Sequence, residues 1–160
     1  MISAQELDRA LVMLKTIWYA LAGSLVMYVI AIPFFLRGRE LALAAETYEE
    51  LRVLLYLVAG LTLAASWPAR RLLLTGKASP LTKKTSRSRQ HPVIQRYTTA
   101  MIVALAMCEA IAIYGLVLFL LGKNQIDLAL FTALAAAGMI GYFPKQTELI
   151  DLAKKYARGD

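Results

Sequence analysis

The chain has 160 residues, 59% of them hydrophobic, a mean hydropathy of +0.55, and 18 Lys and Arg against 11 Asp and Glu. So apolar a composition excludes a soluble domain of this size and points to a protein embedded in a bilayer. One cysteine, Cys108, excludes an internal disulfide and reads as a small apolar helix residue.

Four apolar stretches, about 17–36, 53–69, 97–121 and 128–144, approach the ~20 residues that a helix needs to cross a ~30 Å hydrocarbon core. With their flanks they give spans of about 11–36, 50–69, 97–121 and 126–144 in a single membrane domain over residues 1–160. The expected fold is all-α, an integral membrane four-helix bundle. Ser3-Ala4-Gln5-Glu6 matches a capping box, so a helix is expected to start there and to enter the membrane near Trp18 and Tyr19. The first span is long for a signal-peptide core and has acidic leading residues, so it is expected to be retained. Pro33 should kink or end it.

The stretch from 37 to 52 is acidic, and Leu41, Ala44, Ala45, Tyr48 and Leu51 recur at helical spacing, which predicts a short helix lying on the bilayer. A second capping box, Thr47-x-x-Glu50, is expected to start the second span, whose Gly60, Ala64 and Ala65 offer a smooth face for helix contact. Trp67-Pro68 and Arg70-Arg71 should close that span at the interface. The loop over 70–96 is rich in Lys and Arg and holds no acidic residue. Its Arg70, Arg71, Lys83, Lys84, Arg87 and Arg89 are expected to contact anionic lipid headgroups, each adding at most ~1 kcal/mol. No aromatic is interleaved with these charges, so nucleic acid is not an expected partner. His91 has no second His or Cys nearby, and no metal site is expected. Putting the N-terminus, this loop and the C-terminus on one side gathers most of the 18 basic residues there, which makes both termini cytoplasmic by the positive-inside rule, in a multi-pass protein of a bacterial cytoplasmic membrane.

The third span carries one charge, Glu109, at its middle. A carboxyl group at that depth must be protonated, paired or in contact with an aqueous cavity, and it is the leading functional candidate. Its neighbours along the helix are Leu105, Ala106, Ala112 and Ile113; Ser24 or Tyr28, Thr62 and Thr132 stand at similar depth as hydrogen-bonding partners. Gly122-Lys123-Asn124 reads as a tight turn. In the fourth span Ala133, Ala137 and Gly141 form a small-residue ridge. The tail over 146–157 sets Leu149, Ile150, Ala153 and Tyr156 on one face and pairs Asp151 with Lys155, as in an amphipathic surface helix. No phosphate-cradling loop or nucleophile with its base is visible, so neither an enzyme nor a cofactor is expected.

Ser88-Arg89-Gln90, Pro92, Thr98-Thr99 and the run Glu109-Ala110-Ile111-Ala112-Ile113-Tyr114-Gly115-Leu116-Val117 resemble the c subunit (proteolipid) of rotary ATP synthases. In that family a polar Arg-Gln-Pro loop leads into a helix whose central carboxylate carries the translocated proton. The resemblance implies ion binding by Glu109, with Tyr114 as a nearby hydroxyl, and other subunits of a membrane complex as partners. Ala110 follows the carboxylate where sodium-carrying relatives place Ser or Thr, which implies a proton. His91 separates Gln90 from Pro92, and no Gly-x-Gly-x-Gly helix precedes the motif. Two readings follow: a small membrane protein that binds or translocates protons, related to or associated with the c subunit, or a structural or accessory subunit with no transport activity.

Overall fold

A computed structural model describes residues 4–36, 44–75 and 92–158. Among them the chain is all-helical: α1 (Ala4–Leu36), α2 (Ala45–Thr75), α3 (Pro92–Gly122), α4 (Gln125–Gly141) and α5 (Gln146–Arg158). Three helices are long and apolar enough to cross a membrane, and there are four spans if α4 and α5, bent by 52° at their break, count as one.

The helices outrun the apolar stretches that announce them. α1 starts next to its capping box, although Ser3 lies outside the described residues, and it passes Pro33 by three residues. α2 begins at Ala45, before the Thr47 box, because Ala44 already accepts from the Tyr48 amide at 3.0 Å. Thr47 is therefore inside the first turn, and residues 45–52 belong to α2 instead of a separate surface helix; Leu41 lies outside the described residues. At the other end α2 continues through Pro68 to Thr75, although proline gives up one backbone hydrogen bond there. Pro92 opens α3, the helix position where its missing N–H is no loss.

The turn from α3 to α4 is as tight as its sequence suggests. Lys123 takes the left-handed conformation at φ 55°, and the Asn124 side chain accepts from the Ile126 amide at 3.0 Å to cap α4. Gly122 is needed for a different reason: a Cβ there would collide with the Tyr48 ring.

The core is built around α3, which packs on α1, α2, α4 and α5. Tyr97, Met101, Leu105, Cys108, Ile111 and Leu118 are buried along it, facing Leu14 and Leu25 of α1, Ala59 of α2, Phe131 and Met139 of α4 and Leu149 of α5. Gly115 lets α4 come close, since an added Cβ would lie 2.5 Å from Phe131 Cβ; at Gly138 it would lie 2.7 Å from Cys108 Sγ. The ridges expected to pack do not. Gly60, Ala64, Ala65, Ala133, Ala137 and Gly141 are exposed; the face that α4 buries is that of Leu128, Phe131, Ala135 and Met139. Val26, Met27, Val53, Leu57, Leu61, Leu130 and Ile140 are exposed too, an apolar exterior suited to lipid.

Candidate functional site

Glu109 stands on the partly exposed side of α3. Leu105 and Ala112 beside it are buried, whereas Ile102, Ala106, Ile113 and Val117 on the same stripe are exposed. α1 crosses at this level and presents two hydroxyls from adjacent turns. Ser24 Oγ lies 2.8 Å from Glu109 Oε1, and the Tyr28 hydroxyl donates to the same oxygen at 3.2 Å. Ser24 Oγ is also 2.6 Å from the Leu21 carbonyl. Of the partners expected at this depth, Ser24 and Tyr28 are thus the ones that meet the carboxyl. Thr62 is turned to the Val58 carbonyl at 2.7 Å, and Thr132 Oγ1 is buried without a partner. Tyr114, five residues along, is about 140° away around the helix and packs against the core; no hydrogen bond joins it to Glu109 among the described residues.

Glu109 thus stands on an apolar exterior, met on one side by the Ser24 and Tyr28 hydroxyls and on the other by no hydrogen-bonding group among the described residues. Among the described residues no group of His, Cys, Asp and Glu is placed to hold a metal ion. Residues 86–121 match the family model for the c subunit of ATP synthase. That segment is under a quarter of the chain and holds Glu109, Tyr114 and Gly115. Comparisons with curated proteins and with solved structures give no match. The chain has the apolar helices of a small membrane protein and is similar over that segment to the ATP synthase c subunit; α1, which supplies both hydroxyls to Glu109, lies outside the matched region.

A second acid escaped the sequence reading. Asp127, in the first turn of α4, is fully buried. Three residues of α2 at four-residue spacing converge on it: the Tyr48 hydroxyl donates to Oδ2 at 3.0 Å and the Tyr56 hydroxyl to Oδ1 at 2.8 Å, while Arg52 sets Nη2 3.1 Å from Oδ1 and Nε 3.0 Å from Oδ2. Every acceptor position that counts is filled, so this acid is a clamp. The sequence signal for its partners is Tyr-x-x-x-Arg-x-x-x-Tyr, a polar stripe along one face of α2 that does not by itself name the acid it meets.

Of the basic residues expected at headgroups, Arg70 is turned inward. Its Nη2 donates to Glu148 Oε2 at 2.6 Å, beside a 3.1 Å bond from the Tyr97 hydroxyl, and its Nε is buried without a partner. The Arg71 guanidinium lies over the Trp67 ring at 3.8 Å. Lys83, Lys84, Arg87, Arg89 and His91 lie outside the described residues.

Proposed function

We propose that this is a four-span membrane protein with cytoplasmic termini whose Glu109 binds an exchangeable proton, and that the proton is passed across the membrane within a complex related to the rotary ATP synthases. The setting of Glu109 carries the reading: a carboxyl at the middle of an apolar helix, partly exposed, that accepts from the Ser24 and Tyr28 hydroxyls of α1 at one oxygen and has no ion pair among the described residues. The partly exposed position supports exchange, since a proton carrier must be reachable from outside its own helix bundle, and the c-subunit match over residues 86–121 supports the same chemistry.

Infrared difference spectroscopy of the reconstituted protein tests proton binding. At neutral pH a carboxylic-acid band that shifts in D2O and is missing in Glu109→Gln is expected; an ionised Glu109 overturns the reading. Proton flux into vesicles tests the transport step and should vanish in Glu109→Gln. The band without flux would favour the reading as an accessory protein of a membrane complex, for which the two hydrogen bonds from α1 to Glu109 already provide a structural use.

A further inference from the structure

At the end of α2 away from Asp127 lies a cavity of about 390 Å³ between α2, α3 and α5, within the ~300–1,000 Å³ range of small-molecule pockets. Its wall includes Trp67, Arg70 and Arg71 of α2, Tyr97 of α3, and Asp151 and Lys155 of α5. The charges there are unevenly used. Arg70 is committed to Glu148, which Tyr97 also satisfies. Arg71 and Lys155, on different helices, have no carboxylate within ion-pair distance among the described residues, and Asp151 does not pair with Lys155 despite the four-residue spacing that predicts it. Two free cations therefore face one cavity with one free carboxylate, a net positive well suited to an anion that also carries a hydrogen-bond donor.

The source of that anion follows from the surroundings. Trp67 is 54% exposed at the cavity rim, next to the apolar exterior of α2, and tryptophan stacked under an arginine belongs to the headgroup layer of a bilayer. The opposite wall is the amphipathic α5, whose Leu149 is anchored in the core while Asp151 and Lys155 are exposed. We propose that this cavity binds the head group of one anionic phospholipid, with its phosphodiester between Arg71 and Lys155 and a head-group hydroxyl donating to Asp151. Glu109 plays no part in the site, so it stands or falls independently of proton binding.

Native mass spectrometry of the full chain, titrated with phosphatidylglycerol, phosphatidylethanolamine and inorganic phosphate, tests it. One retained phosphatidylglycerol per chain is expected, weakened about tenfold by Arg71→Ala or Lys155→Ala. Arg71→Lys, which keeps the charge, should retain most of the binding and guards against a folding artefact. Lys154→Ala removes an equal charge from an exposed position of α5 outside the cavity and should change nothing. Asp151→Asn should weaken phosphatidylglycerol modestly. Equal losses in Lys154→Ala would reduce the site to diffuse charge attraction and overturn it. So would phosphatidylethanolamine binding as tightly as phosphatidylglycerol, or displacement of the lipid by inorganic phosphate at equal concentration.

Discussion

Two acids on neighbouring helices sit in opposite circumstances. Asp127 has no exposed surface and is held by two tyrosine hydroxyls and a guanidinium, whereas Glu109 is partly exposed and met by hydroxyls alone. Asp127 is thus tied to α2 through both of its oxygens, whereas Glu109 accepts two hydroxyls at one oxygen and has no ion pair among the described residues. Removing Asp127 takes the acceptor from two hydroxyls and leaves Arg52 with Glu49 alone, so Asp127→Ala should lower the unfolding temperature more than Glu109→Gln, which keeps the shape and a donor. Tyr48→Phe and Tyr56→Phe should each fall between wild type and Asp127→Ala, at roughly 0.5–1 kcal/mol per lost hydrogen bond. Circular-dichroism melts of the four variants in one detergent give the order, and a Glu109→Gln protein melting below Asp127→Ala would reverse the assignment of clamp and carrier. Ser24→Ala should leave the Glu109 carboxyl band present but move its frequency, because it deletes one partner without changing the depth of the group.

At the scale of the helices, close approach depends on single glycines facing bulky partners. Gly115→Ala drives a methyl group into Phe131 Cβ, an atom fixed to the α4 backbone, and should destabilise by about 1–3 kcal/mol. Gly60→Ala meets nothing within 4 Å and should stabilise α2 by about 0.5–1 kcal/mol. Chemical unfolding of the two variants checks the opposite signs. The contrast also explains what the sequence could and could not disclose. Hydropathy located the three long apolar helices, α1, α2 and α3, because apolar exterior and apolar core both register in it. It missed the helix ends because α2 extends beyond the expected 50–69 at both sides, through the acidic stretch 45–49 and, past Trp67-Pro68 and the Arg70-Arg71 pair, to Thr75, where backbone hydrogen bonds and not hydropathy decide. The ridges at Gly60 and Ala133 were visible as small residues, but a small-residue ridge permits contact without naming a partner. Ser24 and Tyr28 were legible as neighbours of Glu109, since depth in a bilayer can be counted along each helix. Asp127 was not, because its three partners lie on α2 and only the tertiary pairing of α2 with α4 brings them together.

Across the whole molecule, two side-chain clusters mark the heights reached by α4 and α5. Asp127 at the start of α4 meets Arg52, and Glu148 at the start of α5 meets Arg70. Arg52 and Arg70 stand about 27 Å apart along α2 at ~1.5 Å per residue, close to a hydrocarbon thickness. The path from Asp127 to Glu148 thus runs nearly the depth of a bilayer, the reach that the proposed four-span arrangement requires of α4. A reporter active only outside the cytoplasm should give signal when fused at position 124 and none at position 85; the reverse pattern would invert the orientation. Stoichiometry follows from how α3 is surrounded. It packs on four other helices of its own chain, and its free surface is the narrow stripe of Ile102, Ala106, Ile113 and Val117 beside Glu109. A ring of many copies needs broad faces on its inner helices and close backbone approach between neighbours, but Gly115, Gly122 and Gly138 are already used for close contacts within the chain. The expected assembly is one copy or a small oligomer, associating through the Glu109 stripe. Native mass measurement of the detergent-extracted protein checks the number, and Ala106→Leu, which thickens that stripe without touching the core, should weaken any dimer while leaving the melting temperature of the monomer unchanged. A ring of many copies would mean that the c-subunit likeness extends from one motif to the assembly.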